Sequence, residues 1–133
     1  MITVSDFVQA LKDLFPGVKF YNGTLNRNES QCIGVYARDS APVYRALGGS
    51  ANTSYSVLPV TILIHWTENA DACERQANAI YNTLFETEGL IVGGRRVILL
   101  SLRDSAPVDV GRDDSNICER TLRINITYER EAI

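Results

Sequence analysis

The stretch ICERTLRINITYER, Ile117 to Arg130, decides the architecture. Leu122, Ile124, Ile126 and Tyr128 fall on one side of an extended chain, while Thr121, Arg123, Asn125, Thr127 and Glu129 fall on the other. An apolar period of two is the mark of a strand with one buried face and one wet face. Such a sheet needs a cover on its apolar side only.

The cover is found by working outward along the chain. Val4, Phe7, Val8, Leu11, Leu14 and Phe15 lie on one helical face, and Thr3 with Asp6 makes the T-x-x-D capping pattern just ahead of them. Pro16-Gly17 stops that helix. A second helix is capped by Thr67 or Asn69 and runs to about Thr87, with Cys73, Ala77, Ile80, Tyr81, Leu84 and Phe85 as its buried stripe, and Gly89 and Gly93-Gly94 close it.

The other strands are shorter. Val18 to Tyr21 and Cys32 to Ala37 flank a polar connection entered by Asn22-Gly23, a hairpin signal. YSVLPVTILIHW, Tyr55 to Trp66, is the longest apolar strand candidate, in which Pro59 calls for an edge or a bulge. RRVILLSLRD, Arg95 to Asp104, is another. The expected fold is α+β, a single domain over 1–133, with about four or five mostly antiparallel strands and two helices packed on one face.

Two long connections interrupt this order, at 38–54 and 105–116. Each begins in or beside the hexapeptide RDSAPV, which occurs letter for letter at Arg38 to Val43 and at Arg103 to Val108. The flanks differ, so turn chemistry shared by Asp, Ser and Pro is the better account than a duplicated domain.

The 45% of hydrophobic and 22% of charged residues belong to a globular chain. A net charge of −3 argues against gripping nucleic acid through bulk positive charge. No apolar run reaches the ~20 residues of a membrane span, and the acidic, helical N-terminus is not that of a secretory leader. Cys32, Cys73 and Cys118 are odd in number and far apart, as expected of reduced thiols in a cytosol. Seven arginines and seven acids share the last 39 residues, which suggests ion pairing within the sheet or between subunits.

No reaction can be read from these residues. His65, the lone histidine, has no nucleophile motif beside it and is taken as structural. Asp109, Asp113 and Asp114 lack the order of a calcium loop and read as a solvated acidic turn. Gly48-Gly49 and Gly93-Gly94 sit in no phosphate-binding motif. Neither a cofactor nor a metal is expected. A rival reading is a small ligand-binding or enzyme domain, its pocket lined by Trp66, Tyr81, Phe85 and Tyr128.

One region carries a more specific signal. A loop with R-A-L-G-G, then N-T-S-Y, then a strand ending I-H-W-T-E-N ahead of a capped helix resembles the minor capsid proteins of tailed bacteriophages and prophages. VGRDDSNICERTLRINITYER is similar to that family's closing segment, and the order of elements is similar to tail terminator proteins. The resemblance implies a virion component, assembled in the bacterial host cytoplasm. It would form a homo-oligomeric, hexameric ring at the head–tail junction, touching tail tube and head connector proteins, with DNA passing through its lumen unheld and no membrane involved. Tyr44, Arg45, Leu47, Tyr55, Arg112 and Arg123 are the candidate contact residues, since aromatics and arginine are enriched at interface centres.

Overall fold

The computed structural model describes residues 1–25, 28–38 and 54–132. Its elements are α1 (Val4–Leu14), β1 (Lys19–Asn22), β2 (Cys32–Ala37), β3 (Tyr55–His65), α2 (Ala70–Glu86), β4 (Ile91–Val92), β5 (Arg95–Leu102), β6 (Val108–Arg112) and β7 (Cys118–Ala132). The strands form one sheet in the order β1-β2-β3-β7-β5-β4, with β6 also paired to β7. Leu122, Ile124, Ile126 and Tyr128 of β7 are buried, so the period-two reading holds. Phe7, Val8 and Leu11 of α1 join Cys73, Ala77, Ile80 and Leu84 of α2 in the apolar cluster that includes those strand residues. Both helices therefore cover the same sheet face.

Local chemistry sets the helix ends as expected. The Asp6 amide donates to the Thr3 hydroxyl at 3.2 Å and the Thr3 amide to Asp6 Oδ2 at 2.9 Å, a closed capping box. Asn69 Oδ1 accepts from the amides of Asp71 and Ala72, and Thr67 Oγ1 accepts from the Asn69 amide, so both candidate residues serve the start of α2. Phe85 departs from expectation: it is 73% exposed, one residue round the helix from buried Leu84, and stacks on Tyr81.

The sheet has seven strands among the described residues, not four or five. The two additions come from connections read as loops. β4 is a two-residue strand turned back onto β5 through Gly93-Gly94, both at positive φ (+56 and +73), as a two-residue hairpin loop requires. Gly93-Gly94 thus makes a hairpin instead of closing α2. β6 lies within the acidic connection and pairs antiparallel with β7.

Asn22-Gly23 does not make a hairpin. β1 and β2 run parallel, with Lys19 opposite Cys32 and Asn22 opposite Val35. Gly23 takes φ +71, but its amide donates to the Val35 carbonyl at 2.7 Å, which keeps the chain alongside β2 at the point where a hairpin would reverse it. The connection then returns to the start of β1, held there by Tyr21 Oη donating to Glu29 at 2.6 Å and by Lys19 at 3.6 Å from the same carboxylate. Pro59 lies inside β3, just beyond Val60, the last residue of β3 paired with β2. The Pro59 carbonyl accepts from the Arg38 amide, so its missing N–H faces the β2 side where β2 has ended, an edge position in the middle of the sheet.

Arg38 and Arg103, the first residues of the two RDSAPV copies, occupy equivalent places in a two-fold arrangement. Adding 65 to a β2 position and 64 to a β3 position carries the pairs Gly34–Leu63, Val35–Ile62, Tyr36–Thr61 and Ala37–Val60 onto Leu99–Thr127, Leu100–Ile126, Ser101–Asn125 and Leu102–Ile124, all of which are paired. The Val60–Ile124 pair maps onto itself and marks the dyad. The Arg38 amide donates to Pro59 O, and the Arg103 amide to Arg123 O. The same shifts relate these two bonds. Turn chemistry alone does not account for the repeat: α1-β2-β3 and α2-β5-β7 are structural counterparts, and the likeness stops at the flanks, where β1 is parallel to its neighbour and β4 antiparallel.

Gly93 also carries a stability prediction. A Cβ there would lie 2.8 Å from Asp6 Oδ2, the oxygen that closes the α1 capping box. Gly93→Ala should cost about 2 kcal/mol, from a left-handed residue and a disturbed cap together. Gly94→Ala meets nothing within 4 Å and should cost about half as much. Urea denaturation of the two variants separates clash from strain; equal midpoints would contradict it.

Candidate assembly surface

Strand register lays out the uncovered face row by row. Tyr55 stands beside Glu129; Val57, Thr127 and Leu99 form the next row across β3, β7 and β5; Pro59, Asn125 and Ser101 form the third; Tyr36, Thr61 and Arg123 the fourth. Tyr55 is 43% exposed, Val57 44% and Leu99 56%, so one end of this face is open and apolar.

The centre of the face is cationic. Arg123 donates through Nε and Nη2 to the two oxygens of Asp104, at 3.1 and 2.6 Å. That fork holds the Asp104 carboxyl below its usual range and raises Arg123. Arg38 reaches across β3: Nη1 donates to the Val60 carbonyl at 2.8 Å and Nη2 to Asn125 Oδ1. Burial first, then the neighbouring guanidinium groups of Arg103 and Arg123, lower Arg38 from its ordinary value. Among the described residues three arginines thus stand with one aspartate at the centre, and two of them open the two copies of the repeated hexapeptide.

The far end of the face is closed. Cys32, His65 and Glu119 make its last row. His65 is fully buried, its Nδ1 3.0 Å from Glu119 Oε2 and 3.6 Å from Asp113 Oδ2, and Nε2 has no hydrogen-bond partner among the described residues. Both facing oxygens only accept, so Nδ1 carries the hydrogen. Asp113 Oδ1 accepts from the amides of Ser115 and Ile117 at 2.9 Å, closing the turn between β6 and β7. Asp113, its side chain only 7% exposed, is therefore a turn-former, not a solvated acid. No group of three or more His, Cys, Asp or Glu among the described residues is placed to hold a metal ion.

The candidate contact residues are divided by the fold. Tyr55 and Arg123 share the open face, whereas Arg112 lies at the β6–β7 turn, its Nη1 donating to the carbonyls of Glu68 and Asn116. Tyr44, Arg45 and Leu47 fall outside the described residues. Sequence reasoning missed Val57, Leu99 and Phe85, because isolated apolar residues in amphipathic elements look like core. Arg38 and Arg103 carried a signal, the repeated hexapeptide itself.

A surface pocket of about 210 Å³ is bordered by Met1, Ser56, Arg95, Tyr128 and Arg130. Tyr128 is the one residue it shares with the aromatic pocket considered from sequence, and Phe85 points into solvent. The cysteines are buried and none is joined in a disulfide. Desolvation, and secondarily the Cys118 thiol, pushes Cys73 up to about 11. Ellman's reagent at pH 8 should therefore find almost no reactive thiol in the native protein and three after denaturation in guanidinium. Rapid native labelling of Cys73 would refute this packing.

No helix among the described residues is long and apolar enough to cross a membrane. Compared with known families, the chain matches over residues 7–130 a family described as "Bacteriophage tail terminator protein". Among curated proteins nothing matches.

Proposed function

The chain belongs to the bacteriophage tail terminator family, and on that footing we propose that six copies close into a ring at the head–tail junction, seated on the tail tube and offering a docking face to the head connector. The role is structural, not catalytic. The ring is a virion part assembled in the host cytoplasm, and DNA passes its lumen without specific binding.

The observation that carries this reading beyond the family match is the one-sided sandwich. Helices cover one sheet face, while the other leaves Tyr55, Val57 and Leu99 in water around an arginine cluster. Apolar area open on a soluble chain marks a contact surface. A ring needs heterologous contacts, one patch of each subunit meeting a different patch of the next, so that a fixed rotation closes it.

Size-exclusion chromatography with light scattering, run at ~100 µM where micromolar contacts form, tests the proposal. The expected result is a species with the mass of six chains, alone or with the tail tube protein added. A strict monomer under both conditions would count against it.

A further inference from the structure

Charge is distributed unequally between the two layers. α1 and α2 hold Asp6, Asp13, Asp71, Glu74 and Glu86 against Lys12 and Arg75, a balance of −3 that equals the net charge of the whole chain. All other residues therefore sum to zero. Glu88, exposed just past α2, adds to the acidic end of that layer, beside Phe85. On the opposite side the centre of the open face holds Arg38, Arg103 and Arg123 against Asp104, with the Val57–Thr127–Leu99 row next to it.

Each layer thus pairs an exposed apolar feature with an excess of one sign of charge, although Glu129 stands beside Tyr55 at the apolar end of the open face. If the open face met its own copy, arginines would oppose arginines, and if helices met helices, carboxylates would oppose carboxylates. Crosswise contact alone sets opposite signs together while covering Phe85 with Val57 and Leu99. The two patches lie on opposite sides of one sheet, so the contact is heterologous and repeats from copy to copy.

We propose that the open sheet face of one copy receives the α2 end of the next copy, with Phe85 covering the Val57–Leu99 row and Glu86 and Glu88 meeting Arg103 and Arg123. This rests on the ring reading above and assigns its surfaces. The occupant is a second copy of this chain. A nucleic-acid phosphate is the other anion that could meet the arginines.

The test uses exposed positions on both sides. Arg103→Glu and the double change Glu86→Arg/Glu88→Arg are made separately, combined in one chain, and mixed as two proteins, with circular dichroism melting to confirm the fold. Each one-sided variant should weaken assembly at least tenfold, read as the concentration at which the ring's mass is lost. The combined chain, and the equimolar mixture, should return to within about threefold of the parent, because swapped charges again oppose. Rings that persist unchanged in both one-sided variants would overturn the surfaces and leave the ring intact; loss without rescue would do the same. A parent that stays monomeric even with tail tube protein would sink both readings. Binding of a short DNA duplex that Arg103→Glu abolishes, with assembly unaltered, would give the arginines to phosphate and overturn the contact.

Discussion

Replacing His65 with alanine is expected to lower the free energy of unfolding by about 3–5 kcal/mol, the range for truncating a large, fully buried ring to alanine. The ring is fully buried, and its Nδ1–H serves Glu119 at 3.0 Å with Asp113 close by. Alanine opens a cavity and takes that donor from two carboxylates whose side chains are only 12% and 7% exposed. Asp113 keeps the amides of Ser115 and Ile117. The melting temperature should drop by roughly 10–15 °C. A second change identifies the cause: Glu119→Gln in the His65→Ala background puts a neutral amide where the carboxyl faced Nδ1 and should recover part of the loss. A cost under ~1 kcal/mol, or no recovery, would mean that His65 merely fills space.

Ile124→Ala should cost about 2–5 kcal/mol, the range for truncating a fully buried isoleucine. Ile124 is completely buried on β7 and paired with Val60 on one side and Leu102 on the other. Val60→Ala, at the counterpart position across the dyad, removes fewer atoms and should cost less. Because the two residues are directly paired, the double variant should deviate from additivity by ~0.5 kcal/mol or more. Chemical denaturation of the three variants measures this, and strict additivity would argue that the two halves pack independently.

The alternation of β7, the capping residues of both helices and the one-sided cover were legible because each depends on residues close in sequence. The parallel pairing of β1 with β2 was not, since Asn22-Gly23 fixes a left-handed turn but not the strand beside which the chain continues. β6 was hidden by Asp109, Gly111 and Asp113, which read as a loop and instead serve a bulged hairpin. The repeated hexapeptide was visible at once, yet its meaning lay in pairing register, a property of four strands together. Of the candidate contact surface, Tyr55 and Arg123 were found from residue type, while Phe85 was assigned to the core because helical spacing cannot separate the edge of a buried stripe from a side chain just beyond it.

The dyad through Val60 and Ile124 has a last consequence, for how the chain can be divided. The segment Trp66–Asn69, between β3 and α2, is a splice joining two pieces, each of which keeps a helix and a set of neighbouring strands. A cut there severs no pairing inside either piece, and what the halves must then find is each other, along the seam where β3 lies against β7.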